Sequence, residues 1–435
     1  MSAAARARRL DPDLEIVAYE RTGYVSYGAC GLPYLIAGVV PKAADLVART
    51  PEQFAKQGIE VRTHHEVSAI DTSNRSVQVL DLEGGREFTT SYDKLVVATG
   101  ASPIRPTMPG TELEGVFVLR SVEDGLAILS FLAEQKPRRA VIIGGGYIGV
   151  EAAEAFAQRG LQTTVLTRPP QVLNIFDDDI AQMMQAELER NGVVVSVDDV
   201  AQAIESDARG RARVVVSQSG RHDADLVLIG AGVSAESTLA EDAGIALGVK
   251  GAIAVDAKMQ TNVPDVYAAG DCAETYHVLL GGSSYVPLGS TANKQGRVAG
   301  TNAGGGNAAF GGVVGTTITK GFDLGVAVTG LTEKMARQLG RPAKAVKIEH
   351  GSRAHYYPSP GPISVKLVWD PGDGRLLGAQ IAGPVAEAKR IDVLATALHH
   401  GLTIEDLQRL DLSYAPPFAP VWDPILVAAN VAAKS

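Results

Sequence analysis

Two cysteines in 435 residues, Cys30 and Cys272, are all this chain has. That scarcity excludes a disulfide scaffold and suits a reducing cytoplasm. Cys30 stands in Ser26-Tyr27-Gly28-Ala29-Cys30-Gly31-Leu32-Pro33-Tyr34, and five positions to either side are Val25 and Leu35 rather than a second cysteine. Redox chemistry at this point must therefore run on one thiol, whose oxidised form is a sulfenic acid or a mixed disulfide with a small partner thiol. Positive charge is also short: a net charge of -9 argues against nucleic-acid binding and gives no reason for an anionic membrane partner. No apolar run approaches the roughly 20 residues that span a bilayer. The twin arginines Arg8-Arg9 are followed by Asp11-Pro12-Asp13 where an export signal needs an apolar stretch, so the protein is expected to be soluble and cytoplasmic. The eight histidines form no metal pattern, because His64-His65 and His399-His400 are adjacent and point to different faces.

What is present is 46% hydrophobic residues and 47 glycines over a length that suits two or three α/β domains. Leu14 to Glu20 reads as a buried parallel strand ending in a carboxylate. Leu95-Val96-Val97-Ala98-Thr99-Gly100 reads likewise, and the break Ser102-Pro103-Ile104-Arg105-Pro106 after it marks a crossover between domains. Ala140 to Ile143 predicts a strand, followed by Gly144-Gly145-Gly146-Tyr147-Ile148-Gly149, a helix from about Val150 to Arg159 and a strand from Thr163 to Thr167. Leu226 to Ile229 and Val266 to Ala269 are further buried strands, the latter running into Gly270-Asp271. Beyond Gly304-Gly305-Gly306 the pattern changes to alternating strands such as Ile363 to Trp369, a hairpin turn at Gly372-Asp373-Gly374, and terminal helices.

Gly144, Gly146 and Gly149 make G-x-G-x-x-G between a strand and a helix, which brings backbone close to a pyrophosphate at the positive end of the helix. Where a site for NAD places an acid at the end of the next strand, this chain has Thr167-Arg168. Losing the acid and gaining a cation favours a 2′-phosphate, so the expected nucleotide is NADPH ahead of NADH.

The Cys30 segment, Leu-Val-Val-Ala-Thr-Gly, the glycine fingerprint, Val-Tyr-Ala-Ala-Gly-Asp at Val266 to Asp271 and Tyr414-Ala415-Pro416-Pro417-Phe418 occur in one order over nearly the whole chain. Together they resemble the single-cysteine branch of the pyridine nucleotide-disulfide oxidoreductases, with coenzyme A-disulfide reductase the nearest type. NADH oxidases, peroxidases and persulfide reductases share much of the layout; Tyr414-Ala415-Pro416-Pro417 favours the reductase over the oxidase. A non-catalytic redox-sensing flavoprotein is the alternative of another class. The resemblance implies an α/β fold of two Rossmann-like domains for FAD and NAD(P) plus a C-terminal α+β dimerisation domain. The expected bounds are 1–110 and 251–310 for FAD, 111–250 for NAD(P) and 311–435 for dimerisation. It assigns FAD contacts to Glu20, Arg21, Ser26, Thr99, Gly100, Gly270 and Asp271, and a flavin-covering role to Tyr147. Glu151 is placed near the nicotinamide. Coenzyme A is implied as a covalent partner of Cys30, held by Arg6, Arg9, Lys42 and Arg49. Tyr356 and Tyr414 are implied to reach across a homodimer and to protonate or position the reacting sulfur.

One departure stands out. The family begins with a strand and a glycine-rich turn for the FAD pyrophosphate, and Met1-Ser2-Ala3-Ala4 already lies in the helix after it. The first FAD-domain strand is therefore expected to be missing, with a natural start about a dozen residues upstream.

Overall fold

The computed structural model describes all 435 residues. Two compact units emerge: one comprises Met1–Ile104, Arg120–Ala127 and Val233–Val313, the other Arg105–Leu119, Ile128–Gly232 and Val314–Ser435. The first change of unit, after Ile104, falls in the proline-rich break read as a crossover.

In the first unit, strand Ile16–Tyr19 pairs in parallel with Ile59–Arg62, and Leu95–Val97 pairs in parallel with Val266–Ala268; the two ladders share no strand. Both carry β-branched and apolar residues suited to a pleated surface, but the first strand, expected to be buried from Leu14 to Glu20, spans only Ile16–Tyr19 and is half-buried. Helix Ser2–Leu10 lies against helix Gly289–Ala303 through a glycine ridge. A Cβ at Gly300 would come within 2.2 Å of the Ala3 carbonyl oxygen, and one at Gly304 within 3.2 Å of Ala7 Cα, so glycine is what lets these backbones touch. Val97, Ile253, Val266, Ala268 and Cys272 share one core cluster. Burial pushes the Cys272 thiol up, which makes it a packing residue and not a nucleophile.

In the second unit a five-stranded parallel sheet has the order Val194–Ser196, Gln162–Leu166, Arg139–Ile143, Leu226–Ile229, Val116–Phe117. Its central strands are apolar on both faces, as a sheet covered on both sides requires. The helix after the glycine turn spans Tyr147–Gln158 and starts earlier than the expected Val150, because Gly146 at φ -79°, ψ -166° is already its cap. The C-terminal part is an antiparallel sheet ordered Thr317–Gly321, Leu324–Gly330, Leu376–Pro384, Pro362–Trp369, Lys344–Gly351. The expected hairpin closes at Gly374 (φ +71°), where the Asp370 N–H reaches the Arg375 carbonyl at 2.9 Å. Helices Ile391–His399 and Pro424–Ala432 pack on this sheet. Lys366 is buried within it, with Nζ 3.1 Å from carboxylate oxygens of Asp177, Asp179 and Glu333.

Candidate active site

Cys30 is exposed on a short 3-10 turn, Ala29–Gly31, that leads into helix Leu32–Ala37. Leu32, Leu35 and Ile36 anchor that helix in the core. The turn itself is tied to the chain after it: the Gly28 N–H donates to Leu46 O at 2.9 Å and the Ala48 N–H to Ser26 O at 2.8 Å. Ser26 takes a left-handed conformation, φ +50°, at the start of this segment. A thiol held on a backbone-pinned turn keeps its place when a bulky disulfide approaches.

The same unit gathers most of the expected FAD residues at strand ends. Glu20 follows the strand Ile16–Tyr19, and its Oε1 accepts from the Thr22 N–H and hydroxyl, both at 2.8 Å. Gly100 (φ +79°) and Gly270 (φ +92°) lie beyond the ends of the paired strands Leu95–Val97 and Val266–Ala268. Asp271 comes next. Its Oδ2 takes a 2.8 Å bond from Arg120 Nη2, while Oδ1 is buried without a hydrogen-bond partner. An orphaned buried carboxylate oxygen costs free energy until a donor meets it, so this atom fits a ligand hydroxyl such as that of a ribityl chain. Arg120, which the sequence reading did not single out, is itself fixed by a 3.0 Å bond from Nε to Ala101 O. Tyr285, also missed, donates to Asp271 O at 2.9 Å; burial, with the Asp271 charge, pushes its phenol up to about 12. Thr99 bonds the Glu236 carbonyl, so its hydroxyl is committed within the protein. Arg21 is exposed and forms a 3.5 Å ion pair with Glu66.

The second unit builds the glycine fingerprint with one role per glycine. A Cβ at Gly144 would sit 2.2 Å from Gly230 O and one at Gly149 1.9 Å from Gly144 O, whereas nothing lies within 4 Å of the position at Gly146. The outer two make the turn and the helix–strand contact, and the middle one leaves the backbone open to an approaching pyrophosphate. No side chain caps the helix there. Thr167 is buried at the end of strand Gln162–Leu166 and Arg168 is exposed beyond it. On the helix, Tyr147 shares a hydrogen bond with the Thr317 hydroxyl, and the Thr319 hydroxyl donates to Glu151 Oε1 at 2.9 Å. Burial pushes Tyr147 up to about 12 and raises Glu151, against the lowering effect of the Thr319 bond. Alternate residues of strand Thr317–Gly321 thus supply a hydroxyl to each of the two expected nicotinamide-side groups.

Tyr356 and Tyr414 come together from distant segments with their hydroxyls 3.1 Å apart, and the bond to Tyr356 raises the Tyr414 phenol. Of the expected substrate cations, Arg6 directs Nε to the Thr301 hydroxyl at 2.9 Å while Arg9 is exposed one turn on. Lys42 and Arg49 are exposed, the latter with its guanidinium 5.8 Å from the Phe54 ring centre.

Residues 1–296 match the Pyridine nucleotide-disulphide oxidoreductase family, and residues 317–424 match the dimerisation domain of the same name. This chain is a pyridine nucleotide-disulphide oxidoreductase. The oxidoreductase is 40% identical over 433 residues to the NAD(P)H coenzyme A polysulfide/persulfide reductase of Pyrococcus horikoshii, covering 99% of this chain and 95% of that one. It is 33% identical to the coenzyme A disulfide reductase of Staphylococcus haemolyticus, over 96% and 93% of the two chains. Among solved structures it superimposes on reduced CoADR-RHD of Bacillus anthracis with a TM-score of 0.96 at 37% identity, over 100% of this chain and 78% of that one. As a member of this family the oxidoreductase works with FAD and NAD(P)H.

Proposed function

We propose that this oxidoreductase reduces coenzyme A disulfide, or a related small disulfide, with NADPH through a mixed disulfide on Cys30, acting as a homodimer in a reducing compartment. The observation that carries the reading is the division of labour between its two thiols. Cys30 is exposed and Cys272 lies in the core, so no second thiol of the chain is placed to form a dithiol centre with it. When bound, FAD supplies the two-electron relay between NADPH and sulfur.

The chain's own residues do the rest. The Cys30 thiolate attacks one sulfur of the disulfide, a Cys30–S–S–CoA bond forms as the substrate bond breaks, and the second coenzyme A departs as thiolate. Two electrons and a proton then cleave the mixed bond and release the first coenzyme A as thiol. Tyr414, bonded to Tyr356, is the proton donor to the departing sulfur. Arg9, Lys42 and Arg49 supply exposed positive charge for coenzyme A phosphates, and Arg168 does so for the 2′-phosphate of NADPH. Tyr356, Phe418, Val421 and Trp422 are exposed, and a second copy covers them, in keeping with the matched dimerisation domain. No helix is long and apolar enough to cross a membrane.

Mass spectrometry of protein isolated without reductant tests the reading: an adduct of coenzyme A mass on Cys30 is expected, and Cys30→Ser should abolish disulfide reduction. A bare sulfenic acid on Cys30, with full disulfide turnover in the variant, overturns it. The likeness to the polysulfide/persulfide reductase of Pyrococcus horikoshii favours a second reading, attack of the same thiolate on a polysulfide or persulfide. Competition between coenzyme A disulfide and polysulfide for one enzyme sample separates the two by kcat/KM.

A further inference from the structure

Tyr356 and Tyr414 sit on loops that do not share a strand or helix. Tyr356 belongs to the connection between strands Lys344–Gly351 and Pro362–Trp369, and Tyr414 to the segment before helix Pro424–Ala432. Within one chain both tyrosines are exposed, so packing inside that chain does not fix their hydroxyls 3.1 Å apart. One guanidinium joins the loops beneath them. Arg390 Nη2 donates to Ser352 O at 3.2 Å and to Phe418 O at 2.6 Å. Ser352 lies four residues before Tyr356 and Phe418 four after Tyr414. The remaining edges of the same group are filled: Nε donates to Asp423 Oδ2 at 3.0 Å and Nη1 to Glu387. Its side chain is only 14% exposed.

The anchors are themselves held. Asp423 Oδ1 accepts the Ile425 N–H and so caps helix Pro424–Ala432, and Glu387 Oε1 faces Arg353 Nε at 3.5 Å on the Tyr356 loop. The Ser352 N–H closes that loop on Gly361 O at 2.9 Å. A planar fork of five donors can satisfy two carboxylates and two carbonyls at once, which the single ammonium of lysine cannot do in the same plane.

We propose that Arg390 is the positioning residue for the tyrosine pair: by bonding the Ser352 and Phe418 carbonyls it sets the Tyr356–Tyr414 hydroxyl contact and with it the proton delivered to the departing thiolate. This rests on the role given to the tyrosines above. Arg390 touches neither substrate nor cofactor in this scheme; it acts through the two loops.

The test compares Arg390→Lys with wild-type holoenzyme in the two half-reactions by rapid mixing. Flavin reduction by NADPH should stay within about two-fold, while reoxidation by coenzyme A disulfide should slow about 10- to 100-fold, the scale on which roughly 1 Å of misplacement acts. A second readout does not depend on turnover. With 3-fluorotyrosine incorporated and the Tyr414 resonance assigned by its loss in Tyr414→Phe, the titration midpoint of Tyr414 should fall in Arg390→Lys as far as it does in Tyr356→Phe. Glu387→Gln, which keeps Arg390 and the residue's volume, provides the same comparison if Arg390→Lys fails to fold, with a smaller fall expected. A folded variant with an unchanged Tyr414 midpoint and an unchanged reoxidation rate overturns the proposal. If Tyr414→Phe itself reoxidises at the wild-type rate, the catalytic reading of the tyrosines fails, and the fluorine midpoint still decides whether Arg390 sets their contact.

Discussion

Replacing Lys366 by methionine probes a charge network centred on a buried ammonium in the second unit. Lys366 has a side chain 7% exposed and faces three carboxylates, those of Asp177, Asp179 and Glu333, each at 3.1 Å. Asp177 does more than pair: its oxygens accept the Glu333 N–H at 3.1 Å, the Lys334 N–H at 2.9 Å and the Gln380 amide at 2.6 Å. Burial pulls the Lys366 ammonium down, and the carboxylates of Asp177, Glu333 and Asp179 outweigh it, so its pKa lies above the ordinary value. Burial pushes Asp177 up, and the Lys334 N–H, the Lys366 cation and Gln380 outweigh that, leaving it below the ordinary value. The sign follows from linkage. The aspartate's share of stability is present above its ordinary 3.8 and lost as pH falls through its lower folded pKa. The lysine's share is present below its ordinary 10.5 and lost as pH rises through its higher folded pKa. The network therefore acts at full strength across the neutral range. Removing one partner of a buried charge pair costs about 3–5 kcal/mol, because the others are left uncompensated. For a unit of about 240 residues, with roughly 2–4 °C per kcal/mol, that is a Tm lower by about 10 °C. Thermal unfolding followed by circular dichroism at pH 7 and pH 4 is the assay. The deficit should be largest at pH 7 and narrow at pH 4, where the stranded carboxylates take up protons. A Lys366→Met protein as stable as wild type at pH 7, or one whose deficit grows on acidification, refutes the electrostatic reasoning.

Gly146→Ala should leave Tm unchanged, since no atom lies near the added carbon, yet weaken NAD(P)H binding by about ten-fold or more through lost backbone approach. Gly149→Ala should instead destabilise the fold; equilibrium dialysis and calorimetry separate the two effects. Asp271→Ala removes the unpartnered acceptor and strands Arg120, and flavin affinity measured by fluorescence should fall about 10- to 100-fold, the equivalent of ~1.5–3 kcal/mol for a charged hydrogen bond. Thr319→Val removes the bond that lowers Glu151, so the acid limb of the pH profile for hydride transfer should move to higher pH; an unmoved limb counts against Glu151 as the titrating group.

The fingerprint glycines were legible in the sequence because their geometry is local: each acts on atoms a few residues or one strand away, and the spacing alone carries the pattern. The strands Leu226–Ile229 and Pro362–Trp369 were legible from continuous or alternating apolar character. Arg120 was not, since its partner Asp271 is 151 positions away and a lone arginine after a loop has no spacing signal. Thr317 and Thr319 alternate on one strand, a signal that would have shown a face but not that Tyr147 and Glu151 lie on it. Arg390 joins segments on both sides of it in sequence, so only the folded sheet brings its partners within reach. Arg6 was expected among the coenzyme A cations; the bond from its Nε to Thr301, which depends on the packing of two helices, was not legible in the sequence.

The contrast between an accessible sulfur on a turn and a second one sealed in the interior has a practical side. With the deep thiol shielded and reluctant to ionise, a maleimide added to the folded protein, once a reductant has cleared the Cys30 mixed disulfide and been removed, should couple at a single stoichiometric position. Wild-type material thus carries its own address for a dye, a spin label or a surface tether, with no residue needing to be replaced first.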